Sequence, residues 1–190
     1  MSADDDGERP RFRRGRRPGT PRGSAPSPAE ELERAREVIL RKLSLRAHSR
    51  AELEKALADK QVPEDVAEQL LGRFTEVGLV DDAAFAAHWV QSRHRVRRLS
   101  RRALADELRR KGIDRDVIAE ATQALDHDDE VAAAMDLAAR KLRSMASITD
   151  PMVRRRRLAA ALARRGYGSD VVHTVVTRVL ADPADPLDTV

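Results

Sequence analysis

The chain lacks cysteine and has very few aromatic residues, and each scarcity excludes a class of protein. Among its 190 residues there is no cysteine and only 3% are aromatic, whereas 36% are charged. Without cysteine the chain forms neither disulfides nor thiolate metal sites, which fits a reducing compartment. So few aromatic residues favour small apolar cores beneath large solvated faces.

Long apolar segments and catalytic motifs are missing as well. No run approaches the roughly 18 apolar residues of a membrane-spanning helix, and the N-terminal segment carries charges where a signal peptide needs an apolar core. We therefore expect a cytoplasmic protein that contacts no membrane. Phosphate-loop, zinc-protease and nucleophile-elbow motifs are absent, and the five histidines are scattered. The sequence predicts a protein that is not an enzyme, with no metal and no cofactor.

What the sequence does contain is one short phrase that occurs three times, at offsets of 51 and 54 residues. Two leucines four residues apart are followed by a basic residue, a glutamine or glycine, and an apolar residue. The three copies are Leu53, Leu57, Lys60, Gln61, Val62, Asp65 and Val66, then Leu104, Leu108, Lys111, Gly112, Ile113, Asp116 and Val117, then Leu158, Leu162, Arg165, Gly166, Tyr167, Asp170 and Val171. A period of about 50 residues is typical of stacked supersecondary units.

Each copy of the phrase lies within a set of three predicted helices. Ser-x-x-Glu capping boxes begin at Ser27 and Ser49, and Ser100 and Asp150-Pro151 are further helix starts. Apolar residues between these starts keep helical spacing, and strand signals are scarce. We therefore predict an all-α chain of three tandem three-helix repeats, with repeat one over 28–78, repeat two over 79–127 and repeat three over 128–182.

The two ends of the chain differ from the repeats in composition. Residues 1–28 hold seven arginines against four acidic residues, so the net charge of +4 comes largely from this segment. Prolines and glycines separate the arginines, and few apolar residues are present to stabilise an ordered structure. We predict a disordered basic tail over 1–27 and a disordered C-terminal tail over 183–190.

Positive charge is concentrated in one segment of the otherwise nearly neutral repeats. Nine basic residues lie between positions 93 and 111, against only Asp106 and Glu107. A helical turn of roughly 100° per residue places Arg102 and Arg109 about 20° apart and away from the core leucines. One interpretation is that these arginines only form a solvated helix face. The concentration of positive charge in an otherwise neutral region favours instead contact with phosphates or an acidic protein surface. The candidate partner-binding residues are Arg93, Arg95, Arg97, Arg98, Arg101, Arg102, Arg109, Arg110 and Lys111 in repeat two, and Arg154, Arg155 and Arg156 in repeat three.

Three stretches, over 46–53, 78–93 and 107–113, resemble the RecX family of recombinase regulators. The most specific part is Asp-Asp-x-x-Phe-Ala-x-x-Trp-Val from Asp81, followed by Glu-Leu-x-x-Lys-Gly-Ile from Glu107. The resemblance covers about residues 29–181. It implies an elongated, curved array that lies along the groove of a RecA filament on DNA.

The same resemblance implies inhibition of the ATP hydrolysis, strand exchange and co-protease activity of RecA, by blocking filament growth or promoting disassembly. Such a protein acts in recombination, DNA repair and the SOS response, and we expect it to be a monomer. In one segment the chain departs from the family pattern. Between Arg93 and Ser100 the family usually has glycines, whereas this chain has Arg-Val-Arg-Arg-Leu from Arg95.

Two other binding functions remain open at this stage. A non-specific DNA-binding protein built on helix-turn-helix-like repeats would begin its third helices with base-reading side chains. Those helices begin instead with Glu64-Asp65, Arg115-Asp116 and Asp170, which disfavours base reading. A scaffold for another helical protein would bind at high salt, whereas contacts with phosphates weaken steeply as salt rises.

Overall fold

The computed structural model describes residues 27–181, and the regular structure in this range is entirely α-helical. None of its helices is both long and apolar enough to cross a bilayer. The predicted tails over 1–27 and 183–190 lie outside the described residues, apart from Ser27. The described helices are α1 (Pro28–Leu43), α2 (Arg50–Ala58), α3 (Glu64–Glu76), α4 (Asp82–Arg97), α5 (Arg101–Arg110), α6 (Arg115–Gln123), α7 (His127–Arg143), α8 (Pro151–Ala163) and α9 (Ser169–Ala181).

The helices group in threes around separate apolar cores. One core draws on α1 to α3, a second on α4 to α6, and a third on α7 to α9. In every copy of the repeated phrase both leucines are completely buried, and each buried leucine contributes roughly 1.5–3 kcal/mol. The prediction of an all-α chain with three tandem three-helix repeats is confirmed.

Local capping signals determine where most helices begin. Ser27 and Ser49 each form a complete capping box with the glutamate three residues later, which satisfies two backbone N–H groups at the helix start. Helix α9 begins at Ser169 itself, one residue earlier than a helix capped by that serine would. The other side-chain caps are Asp81 for α4, Ser100 for α5, Asp114 for α6, Asp126 for α7 and Asp150 for α8.

Successive repeats join through the same close backbone contact. The turn after the middle helix of repeats two and three contains a glycine with positive φ, 73° at Gly112 and 87° at Gly166. A Cβ atom on Gly112 would lie 2.4 Å from the Cβ of Ala51, and one on Gly166 would lie 2.6 Å from the Oγ of Ser100. Each joint therefore requires glycine for two reasons: the backbone has a positive φ, and the neighbouring repeat leaves no space for a Cβ atom.

Each joint also satisfies a backbone donor at the start of a helix. The N–H of Arg50 donates to the Asp82 carboxylate, and the N–H of Arg101 donates to the Glu130 carboxylate, both at 2.8 Å. These donors have no partner within their own helices, and both carboxylates belong to the next repeat. Helix α8 begins at Pro151, four residues before the position that matches Arg50 and Arg101 in the repeated phrase, and Asp150 caps it from within repeat three.

Candidate partner-binding surface

The structure divides the twelve predicted partner-binding residues into two groups. Five of them contact other groups of the protein through their side chains, namely Arg93, Arg98, Arg109, Lys111 and Arg154. The remaining seven are exposed, and no carboxylate of the described residues lies within 4.0 Å of their guanidinium groups. We call these seven the arginine surface: Arg95, Arg97, Arg101, Arg102, Arg110, Arg155 and Arg156.

Lys111 and Arg93 belong to a cluster of cations around Trp89. The Lys111 Nζ and the Arg93 guanidinium carbon each lie 4.2 Å from the centroid of the Trp89 ring. The Trp89 Nε1 donates to the Glu107 carboxylate at 2.8 Å, and the Arg93 Nε lies 3.8 Å from the same oxygen. Lys111 also donates to Glu52 of repeat one at 2.7 Å. These two cations stabilise the protein internally and are not free for a partner.

Glu52 joins this cluster to repeat one. Burial acts to raise the pKa of its carboxyl, but hydrogen bonds from Lys111, Arg46 and the backbone of Ser49 outweigh burial and lower the pKa to about 2. His48 is buried, and its Nδ1 lies 3.3 Å from the carboxylate without forming a hydrogen bond. Burial, followed by Arg46, lowers the pKa of His48. At pH 7 the joint therefore holds a charged carboxylate beside a neutral imidazole.

Arg98 lies in the turn between α4 and α5. It ends α4 in the left-handed conformation, with φ 53° and ψ 46°, which costs a residue with a Cβ roughly 1–2 kcal/mol. Its guanidinium pairs with Asp136 of repeat three, with an N to O distance of 2.6 Å. The side chain thus connects two repeats and offsets part of the backbone strain.

Arg109 and Arg154 are also engaged within their own repeats. Arg109 pairs with Asp106, three residues earlier on the same helix. The Arg154 Nε donates to the backbone carbonyl of Ile148. Part of the charge that the sequence places on the outward face of α5 is therefore neutralised by a neighbouring acid.

Four residues of the arginine surface occupy matching positions in two successive repeats. Arg101 and Arg102 stand at the same places relative to the repeated phrase as Arg155 and Arg156. At the first of these places repeat one has Arg50, whose guanidinium donates to Glu54 at 2.9 Å. Arg50 of repeat one is therefore paired with an acid, whereas the matching Arg101 and Arg155 have no carboxylate within 4.0 Å among the described residues.

Sequence patterns did not identify the acidic residues that hold the repeats together. Glu52 was visible only as part of a capping box, and Asp82 only as one of two acids at a helix start. Their partners, Lys111 and the N–H of Arg50, are 59 and 32 residues away, so the signal requires knowledge of how the repeats stack. In the described part of the chain no three potential ligand side chains are grouped so as to hold a metal.

Comparison with protein families gives three matches in order along the chain. The first, second and third three-helix domains of RecX match residues 35–74, 81–121 and 128–176. The chain is also similar in fold to the crystal structure of RecX from Lactobacillus salivarius, with a TM-score of 0.73 and 19% identity over 81% of this chain and 99% of that one.

Two RecX proteins have a much higher sequence identity to this chain than that crystal structure does. Regulatory protein RecX of Streptomyces coelicolor is 44% identical over 158 residues, which cover 83% of this chain and 84% of that protein. Regulatory protein RecX of Mycobacterium ulcerans is 48% identical over 165 residues, which cover 87% and 95%. The repeats, their order and these identities show that the chain belongs to the RecX family, a family of regulatory proteins and not of enzymes.

Proposed function

We propose that this protein binds the RecA filament on DNA and inhibits the recombinase through the arginine surface. The observation that carries the proposal is the set of seven exposed arginines without carboxylate partners in the described structure, four of which occupy matching positions of repeats two and three. Membership of a family of regulators supports regulation as the role. A filament that carries DNA presents phosphates and acidic side chains, which attract such a surface.

The linear arrangement of the repeats suits a partner that itself repeats. Each three-helix unit is small and makes only a weak contact, but once one unit is bound the next contact becomes intramolecular and is favoured by effective concentration. A chain bound across several protomers would block filament growth or promote disassembly. ATP hydrolysis, strand exchange and co-protease activity would then fall together, because all three require the filament.

A charge-reversal experiment tests the contribution of the arginine surface. Arg102→Glu combined with Arg110→Glu should raise the concentration needed for half-inhibition of RecA-dependent ATP hydrolysis on single-stranded DNA by roughly tenfold, equivalent to about 1.4 kcal/mol. The control is Arg41→Glu combined with Lys60→Glu, which reverses two exposed charges of repeat one and should leave inhibition within about twofold. Undiminished inhibition by the folded repeat-two variant would remove the surface from the mechanism.

Non-specific binding to DNA alone is the second candidate function. It is favoured by the absence of aromatic residues between positions 93 and 111, since phosphates and not bases would then be the target. Co-sedimentation with RecA filaments and with naked single-stranded DNA, each at two salt concentrations, separates the two functions. Preferential capture by RecA filaments supports filament binding. Equal capture by filaments and naked DNA, with a steep salt dependence, supports non-specific DNA binding.

We infer further that the chain acts as a monomer in the cytoplasm. A second copy placed head to tail would bring the turn at Gln61 against the start of α8, as the turn at Gly112 approaches Ala51. Gln61 also has a positive φ, 57°, but it carries a Cβ atom, which Gly112 and Gly166 lack at their close approaches, so we expect this contact to be unfavourable. Sedimentation equilibrium should give 21.2 kDa, and a mass of twice that value would contradict the inference.

A further inference from the structure

A cavity of about 320 Å³ lies in repeat three, between the C-terminal end of α7 and one side of α8. Half of its lining residues are basic, none is acidic, and one carries a hydroxyl. The lining residues are Lys141, Ser144, Met145, Arg157, Ala160 and Arg164. None of them belongs to the arginine surface.

The helix geometry directs these side chains toward the same space. Arg157 lies on α8, and Arg164, seven residues later, is the C-cap residue of α8 and keeps a right-handed helical conformation. On a helix, residues seven apart point about 20° apart and are separated by about 10 Å. Ala160, between them, has only a methyl group and leaves the floor of the cavity open. Lys141, in the last turn of α7, approaches from the neighbouring helix. Met145 is almost completely buried and provides an apolar base.

The positive charge of this cavity is uncompensated. No carboxylate of the described residues lies within 4.0 Å of Lys141, Arg157 or Arg164, although the adjacent Arg140 pairs with Asp136 at 3.1 Å. A larger cavity of about 590 Å³ in repeat one shows the contrast, because it mixes both signs of charge. Its charged lining residues are Arg50, Lys55, Glu54, Glu64 and Glu68.

We propose that the repeat-three cavity binds a phosphate group, of the kind carried by a nucleic-acid strand or a nucleotide. The two guanidinium groups can each donate two parallel hydrogen bonds to phosphate oxygens, and the lysine adds a compact charge. The Ser144 hydroxyl, which donates to the Lys141 carbonyl at 2.7 Å, can rotate to donate to the ligand instead. A water molecule occupies about 30 Å³ in the liquid, so the cavity has room for a phosphate or diphosphate.

A structural role for the same charges makes a different prediction. Cations near the C-terminal end of a helix stabilise its unpaired carbonyl groups, and Lys141 and Arg164 lie at the ends of α7 and α8. If this were their whole role, phosphate compounds would leave the cavity unaffected. The proposal is independent of the RecA-binding function, so it can fail while that function stands.

Titration of the full isotope-labelled chain with pyrophosphate at constant ionic strength, followed by NMR, tests the proposal. We expect shifts at the amides of Ser144 and Met145 and at the Arg157 Nε, and Arg157→Gln should weaken the affinity about tenfold. The control is Arg178→Gln, which removes an exposed arginine on α9 of the same repeat and should change the affinity less than twofold. Absence of localised shifts, or equal weakening by both variants, would overturn the proposal.

A second arm of the titration identifies the source of the phosphate. A short single-stranded oligonucleotide that shifts the same cavity resonances and competes with pyrophosphate indicates a nucleic-acid backbone. Pyrophosphate binding without such competition indicates a nucleotide or free phosphate. Both outcomes require the cavity to bind phosphate, and circular dichroism of each variant confirms that the exposed substitutions leave the fold intact.

Discussion

The joint between repeats one and two and the joint between repeats two and three share a backbone plan but differ in their side chains. Each has a buried serine that caps the middle helix, Ser49 or Ser100, with a glycine turn packed against that helix start. In the first joint a serine hydroxyl donates to the carbonyl of Lys111 at 2.7 Å. In the second, the Tyr167 hydroxyl donates to the Arg98 carbonyl at 2.9 Å.

This comparison indicates that the glycine turn determines how the repeats stack. The side chains around it determine how the stability of each joint changes with substitutions and pH. The first joint depends on a partly buried carboxylate, Glu52, held by Lys111, and these side chains are 24% and 17% exposed. The second depends on the pair between Arg98 and Asp136, which are 24% and 37% exposed. We therefore expect the two joints to tolerate glycine substitution equally badly and to respond differently to charge substitutions and pH.

The glycine turns should give the largest effect. Gly112→Ala and Gly166→Ala each combine an unfavourable φ with a collision under 3 Å, so each should lower the free energy of unfolding by about 3 kcal/mol. Gly78→Ala is the matched control, because Gly78 has a φ of 73° and no atom within 4 Å of an added Cβ. It should cost only about 1 kcal/mol in urea unfolding followed by circular dichroism. Equal costs at all three glycines would contradict the close packing of the joints.

Removal of the charge at Lys111 should give the next largest effect. Lys111→Met keeps most of the apolar stem but removes the shortest ion pair of Glu52 and one of the two cations over the Trp89 ring, so it should cost about 2 kcal/mol in urea unfolding. Lys60→Met changes the equivalent, exposed residue of repeat one and should cost under about 0.5 kcal/mol. If the two variants are equally stable, the cluster around Trp89 contributes nothing to the joint.

Acid should weaken the first joint through protonation of Glu52. The pKa of Glu52 is about 2 in the folded chain and about 4.5 without its partners, so its stabilisation is complete above pH 4.5 and is lost as the pH falls toward 2. The difference in unfolding free energy between the native chain and Glu52→Gln should therefore shrink by more than about 1 kcal/mol between pH 6 and pH 3. A difference that does not change over this range would show that the carboxylate is not stabilised in its charged form.

The smallest effect should appear at Arg98 in the second joint. Arg98→Ala loses the pair with Asp136 and keeps the left-handed strain, so it should cost about 1 kcal/mol. Arg98→Gly also loses the pair but relieves the strain, so it should lie within about 0.5 kcal/mol of the native chain in thermal or urea unfolding. An alanine variant more stable than the glycine variant would be inconsistent with the left-handed conformation.

Much of the fold could be predicted because its signals are local. The capping boxes at Ser27 and Ser49 and the leucines of the repeated phrase depend on residues within one or two helical turns, and the structure confirms them. The spacing of four residues between Phe85 and Trp89 is also a local signal, and their rings are stacked with centroids 5.7 Å apart. The proposed repeat boundaries and partner-binding residues remain predictions.

The candidate site could be predicted only in part, because the sequence does not show which basic side chains pair with acidic side chains in the folded chain. Lys111 and Arg95 look alike in the sequence, yet the first is held by Glu52 and the second is exposed. The cavity formed by Lys141, Arg157 and Arg164 had no sequence signal, since α7 and α8 must pack before these side chains approach one another.

The amino-acid sequence by itself determined the helices, their caps, the threefold repetition and the concentration of arginine in repeats two and three, because these depend on short-range spacing. Tertiary structure alone decided which cations remain available. Arg98 and Lys111 find carboxylates 38 and 59 residues away, and only stacking of the repeats brings those charges close enough to neutralise one another.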